Sequence, residues 1–219
     1  MLLLPDSDIP TRSASGFLLR YVVPRVGPAQ LIGPLDRRPI FSRLVRFGDL
    51  IIGVGHGEPD LFGGQGDDIL LKVGEYSGDE VKGKFVKLIS CQTADLLGPD
   101  LIRNGAVAFQ GYSEDYLWVA DLDYSSTPWD DPLAGKCLLP VMGAVNSILD
   151  GNTNEEAFDF EVRGYNSNIS QETDELILAF LKWNRDHLVY LGKPDARVNS
   201  KPRIGLPMSP PPLPPVIGI

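Results

Sequence analysis

The sequence predicts an α/β fold, a mostly parallel sheet flanked by helices, with a shortened N-terminal part. Three observations predict it. Asp49-Leu-Ile-Ile-Gly-Val54 and Lys84-Phe-Val-Lys-Leu-Ile-Ser90 are apolar runs that lack the alternation of a half-exposed strand, so both read as strands buried on two faces. The second run leads into a short helix signal at Gly98–Asn104, with Pro99 in its first turn, and then a third strand, Gly105-Ala-Val-Ala-Phe-Gln-Gly111. Strand, helix and strand in this order imply right-handed crossovers.

Before the first buried strand, residues 1–48 read as an irregular N-terminal segment contributing an edge strand, rich in Pro, Gly and Arg. Its clearest apolar run, Phe17-Leu-Leu-Arg-Tyr-Val-Val23, is aromatic and β-branched enough for a strand. A turn-rich stretch through Pro24, Gly27, Pro28, Gly33 and Pro34 follows, then a helix over Pro39–Phe47 with Pro39 in its first turn. Glu58–Val81 reads as a loop with a hairpin. Beyond Leu133 the chain turns helical, over Leu133–Asp150, Asn154–Arg163 and Thr173–Asn184, the last with Leu176, Ile177, Phe180 and Leu181 on one face. A final strand, His187-Leu-Val-Tyr-Leu191, closes a main domain over residues 49–203. Residues 204–219 form a Pro-rich tail whose Pro207–Pro215 stretch suits polyproline II and an aromatic groove on a partner.

The 219 residues suffice for one core, and a formal charge of -9 disfavours nucleic acid as a general partner while favouring a basic peptide. Met1–Pro10 lacks the basic start of a secretory signal, and no apolar run reaches the ~20 residues of a membrane helix. The expectation is a soluble protein without membrane association, its compartment unassigned. Two cysteines, Cys91 and Cys137, and two histidines, His56 and His187, rule out a disulfide framework or a multi-cysteine zinc site and leave a Cys91–Cys137 bridge open.

The chemistry concentrates at two strand ends. The first buried strand runs into Gly55-His56-Gly57 and the second into Cys91-Gln-Thr-Ala94. In an open α/β sheet, functional groups gather at the carboxyl ends of neighbouring strands, where loops form a crevice. A thiol nucleophile needs a base beside it and donors for the oxyanion. His56 and Cys91 supply the pair, and the backbone N–H groups of Gly57 and Cys91 are the candidate oxyanion donors. Gly55 and Gly57 let the chain turn sharply and keep side chains off the line of attack. A dinucleotide reading fails because Gly53, Gly55 and Gly57 are misspaced and no ribose-binding acid stands near Lys72 or Val73.

Leu50-Ile-Ile-Gly-Val-Gly-His-Gly57, Lys87-Leu-Ile-Ser-Cys-Gln-Thr-Ala94 and Asn104-Gly-Ala-Val-Ala-Phe-Gln-Gly-Tyr112 together resemble the caspase-like cysteine peptidase clan, closest to its gingipain and CHAT-type branches. The resemblance covers about Asp49–Val198. Leu191-Gly-Lys-Pro-Asp-Ala-Arg-Val198 is similar to the Gly-Asp-Pro-x-x-Arg element of such domains, with Lys193 in place of the usual Asp. It implies a caspase-like sheet, a His56/Cys91 dyad with no third carboxylate assigned, and no cofactor. Such folds normally spend two strand-helix units before the His strand. It further implies a pocket for the side chain before the scissile bond, for which Glu114, Asp115 and Trp118 are the candidates; an acidic floor would select Arg or Lys.

Gly63-Gly-Gln-Gly-Asp-Asp-Ile-Leu70 also matches one calcium-binding β-roll repeat, which makes Asp68 a calcium candidate, although no neighbouring repeat completes a cage. The functional expectation is an endopeptidase acting through an acyl-enzyme on a peptide or protein. The alternative is an inactive caspase-like scaffold or binding protein. A latent form that cleaves itself in Glu58–Glu80 or Asp121–Asp131, with bonds after Lys72 or Lys82 as targets, is a third.

Overall fold

The computed structural model describes residues 1–26 and 30–198. The Pro-rich tail, and Gly27 and Pro28 of the turn-rich stretch, lie outside the described residues. In chain order the main elements are β1 (Leu2–Leu4), α1 (Ile9–Tyr21), β2 (Gln30–Ile32), α2 (Arg38–Leu44), β3 (Leu50–Val54), β4 (Gly57–Glu58), β5 (Leu61–Gly63) and β6 (Ile69–Lys72). They continue with β7 (Phe85–Ile89), α3 (Leu97–Arg103), β8 (Ala108–Tyr112), α4 (Pro132–Leu149), α5 (Asn154–Gln171), α6 (Glu175–Asp186) and β9 (Leu188–Gly192).

A six-stranded sheet runs β2-β1-β3-β7-β8-β9, parallel except for β9, which pairs antiparallel with β8. This is the mostly parallel, helix-flanked sheet expected. A second, antiparallel sheet of β4, β5 and β6 grows from the loop after β3. Alternation along the main strands divides the core: Leu2, Leu4, Ile52, Val54, Phe85 and Ile89 face α1, α4, α5 and α6, while Leu3, Ile51, Val86 and Leu88 face α2 and α3.

The first 48 residues hold two strand-helix units, economical because β1 and β2 have three residues each. All three leucines of β1 are buried, each worth about 1.5–3 kcal/mol, so side-chain burial anchors a strand with few ladder bonds. Phe17–Val23, expected as a strand, is instead helical as far as Tyr21, the end of α1. Asp8 caps this helix by accepting from the Thr11 N–H, Pro10 sits in its first turn, and Ala14, Phe17 and Leu18 bury one helical face. The nucleating cap and the helical spacing outweigh the local strand preference of Tyr21-Val-Val23.

α5 runs to Gln171, beyond the expected end at Arg163, because Gly164 is not a terminus. It makes room for α4, where a Cβ at Gly164 would lie 2.9 Å from the Pro140 Cβ. Among the described residues α4 is the one helix long and apolar enough to cross a bilayer, and it is mostly buried inside the fold. The Pro194–Arg197 segment closes the domain: Pro194 and Ala196 carbonyls accept from the Glu155 and Asn154 N–H groups at the start of α5, and Arg197 donates to Gly151 O at 2.5 Å.

A polar cluster interrupts the core. Lys87, in the middle of β7, points to the α5 face and meets Glu161 at 2.5 Å, both fully buried. Tyr112 donates to the same carboxylate, and Tyr116 donates to the Cys137 carbonyl at 2.9 Å.

Candidate active site

β1 lies between β2 and β3, so the chain leaves β1 in one direction for β2 and returns on the other side for β3. Such a reversal opens a crevice at the carboxyl ends of the strands, where open α/β sheets place their sites. β1 ends before Asp8, β3 before His56, and β7, hydrogen-bonded beside β3 with Val54 opposite Ile89, before Cys91. Three chemically competent side chains therefore follow three adjacent parallel strands.

His56 Nε2 lies 2.8 Å from Asp8 Oδ2, while Asp8 Oδ1 accepts the Thr11 N–H at 2.9 Å. One carboxylate thus caps α1 and orients the histidine. No third carboxylate was expected from the sequence; its signal was the Asp8-Ile-Pro-Thr11 capping pattern, separated from Leu2–Leu4 by Pro5-Asp6-Ser7. Burial raises the Asp8 pKa, but the Thr11 N–H, His56 and the Thr11 hydroxyl together hold it below the ordinary aspartate range.

A depressed carboxyl stabilises the fold fully above its unfolded pKa and loses that contribution as pH falls through the folded value. Asp8→Asn should therefore melt lower than the wild type by a constant margin near neutrality, and the margin should shrink below about pH 4. Melting curves of both proteins across acid pH check this; a margin unchanged at pH 2 contradicts it.

Gly57 packs directly against the nucleophile candidate: a Cβ there would lie 2.3 Å from the Cys91 carbonyl oxygen. The Gly63 N–H donates to His56 O at 2.9 Å, so alternation along the β4–β5 ladder makes Gly57 and Phe62 a non-hydrogen-bonded pair and turns the Gly57 N–H away from β5. After Cys91 the chain makes a tight turn through Gln92, whose φ of 55° is the one positive value at a non-glycine residue among those described. The Gln92 N–H donates to Glu114 O at 3.1 Å, and its side-chain amide donates to Asp115 Oδ1 at 2.9 Å.

Both cysteines are free, so no Cys91–Cys137 bridge forms. Burial raises the Cys91 thiol; the Tyr116 N–H favours the thiolate, whereas the charge of Asp115 and a hydrogen bond to it favour the protonated form. Cys137 is fully buried, and its thiol is pushed up to about 12 by burial and the charge of Glu172. Among the described residues His56 is hydrogen-bonded to Asp8 and not to Cys91.

Of the pocket candidates, Asp115 is exposed beside Cys91, Glu114 is exposed and touches the Cys91 turn through its backbone, and Trp118 is half-buried against Tyr116 at 5.4 Å between ring centroids. A cleft of about 30 Å³ lies between the first turn of α1 and residues 120–131, and none of the three lines it. Asp68, the calcium candidate, accepts the Arg38 N–H at 3.1 Å, and among the described residues no three His, Cys, Asp or Glu side chains converge.

The sheet, its flanking helices and the crevice define a caspase-like α/β fold. A solved structure of similar fold is the complex of Porphyromonas gingivalis RgpB pro- and mature domains, with a TM-score of 0.51 and 12% sequence identity. The match covers 88% of this chain and 44% of that one, so the present chain spans less than half its length. No family model matches the chain, and no curated protein does.

Proposed function

We propose that this chain is a cysteine endopeptidase domain in which Cys91 is the nucleophile, His56 its base and acid, and Asp8 the residue that positions His56. The observation that carries this reading is the convergence of Asp8, His56 and Cys91 at the ends of three adjacent parallel strands. Asp8, ionised at neutral pH, accepts the Nε2 proton of His56, which leaves Nδ1 with a free lone pair. Nδ1 takes the Cys91 thiol proton as the sulfur bonds to the scissile carbonyl carbon, and the Gly57 and Cys91 N–H groups hold the resulting oxyanion. His56 then gives that proton to the leaving amine. A water that loses its proton to His56 cleaves the thioester, releasing the acid and restoring the thiol.

Asp115 supports a preference for peptides with Arg or Lys before the scissile bond, with Glu114 and Trp118 as neighbours. A cationic side chain there would offset the Asp115 carboxylate, which adds to burial in raising the Cys91 thiol, so the substrate itself would ease ionisation. Asp115→Asn should therefore move the pH profile of Cys91 alkylation toward lower pH, while Glu114→Gln leaves it in place. Equal profiles for Asp115→Asn and wild type remove this role.

The raised thiol and its lack of a bond to His56 favour a second reading, an inactive scaffold. A positional-scanning peptide library decides between them. Cleavage that is lost in Cys91→Ala and kept in Cys137→Ala supports the peptidase. No cleavage under reducing conditions, with and without calcium, supports the scaffold. Mass analysis of the same incubations reports self-processing after Lys72, in β6, or after Lys82, exposed before β7.

A further inference from the structure

Residues 113–120, which follow β8 and carry Glu114, Asp115 and Trp118, belong to no helix or strand. A segment without a ladder of its own takes its shape from whatever satisfies its backbone. On one side it meets the turn after Cys91, where Gln92 donates from its N–H to Glu114 O and from its side-chain amide to Asp115 Oδ1. On the other side stands the last turn of α6. The Trp183 indole N–H donates to Asp115 O at 2.9 Å, and Asn184 accepts the Leu117 N–H at 2.9 Å while donating to the Leu117 carbonyl at 2.6 Å. Just past the helix, His187 O accepts the Ser113 N–H at 3.0 Å.

The two side-chain grips differ in kind. Asn184 is 1% exposed, so its amide stands in for water at both backbone groups of Leu117, a pairing the fold requires. Trp183 keeps 39% of its surface exposed, with its ring against His187 at 4.1 Å between centroids. An indole so exposed is able to donate to water, and stability does not demand its bond to the loop. That bond nevertheless falls on Asp115, whose carboxylate lies beside the Cys91 thiol.

We infer that Trp183 is a positioning residue: its indole N–H fixes the Asp115 peptide and so holds the carboxylate beside Cys91. In the peptidase reading, on which the substrate side of this role rests, that carboxylate meets the Arg or Lys before the scissile bond. The link from Trp183 to Cys91 stands without it. Once released, the Asp115 side chain would turn to water, and a charge that raises the thiol would leave the sulfur.

Trp183→Phe removes the donor and keeps a ring against His187. Alkylation of Cys91 by iodoacetamide, followed across pH by peptide mass mapping, needs no peptidase activity. Trp183→Phe should move the profile toward lower pH, as Asp115→Asn does, and should move it no further when added to Asp115→Asn. Arg185→Ala, on the same turn but paired with Asn166 and Asp186, should leave it in place. The melting midpoint of Trp183→Phe should stay within about 4 °C of wild type. With an Arg or Lys peptide from the library, Trp183→Phe should raise KM about three- to tenfold and leave kcat nearly unchanged. An unmoved alkylation profile, a full further shift in the Asp115→Asn background, or a midpoint lower by about 10 °C overturns the role of Trp183. The expected alkylation shifts in a chain that cleaves no peptide would keep the Trp183–Asp115 link and remove the peptidase reading instead.

Discussion

Cys91→Ala is expected to reduce peptide hydrolysis to the uncatalysed background, and His56→Ala to lower kcat/KM by about 10²–10⁴-fold. The two losses should not add: once the sulfur is absent His56 has no thiol to deprotonate, so the double variant should match Cys91→Ala alone. Asp8→Asn should fall between wild type and His56→Ala, because asparagine keeps a cap for α1 but presents no charge to the imidazole. Cys137→Ala should keep its activity, since Cys137 is fully buried and its thiol is pushed up to about 12. Steady-state kinetics with the best library peptide read all five variants, and an active Cys91→Ala would exclude the mechanism.

Glu161→Ala is expected to be the most destabilising single substitution in the core, at about 3–5 kcal/mol, or roughly 10 °C in the melting midpoint. The reason is asymmetric: Glu161 has no solvent exposure, and its removal strands the equally buried Lys87 ammonium as well as the Tyr112 hydroxyl. Replacing both charges, as Lys87→Met with Glu161→Leu, should recover most of the loss, because an apolar pair carries no desolvation cost. Thermal melts of the wild type, the single variant and the double variant test this. A midpoint for Glu161→Ala within 2 °C of wild type would mean that Lys87 is not stranded.

The strands that carry His56 and Cys91 were legible because each is a continuous apolar run that stops at a chemically distinctive tripeptide or turn, and because the pattern strand, helix, strand constrains what lies beside them. β1 was not legible: three leucines have too little length to separate a strand from an apolar terminus. With β1 unseen, the switch point could not be drawn, and Asp8 had no reason to be near His56, 48 positions away. α1 was missed for a related reason: composition in a short window favoured a strand, while the capping box that decides the matter lies outside that window. Distance in sequence also hid the core pair, since Lys87 and Glu161 are 74 positions apart and each looks like an ordinary surface charge. Asp115 was legible as an acidic residue near the site. Its contact with the Cys91 thiol depends on the Gln92 turn, which no local pattern announces.

In the proposed reaction Cys91 is a nucleophile served by His56. Intact-mass analysis after incubation with peptidyl acyloxymethyl ketones, under reducing conditions, tests it most directly. The expected result is one covalent adduct per chain, mapped to Cys91, absent in Cys91→Ala and much slower to form in His56→Ala. An unmodified wild-type chain, or an adduct carried by Cys137, would contradict it.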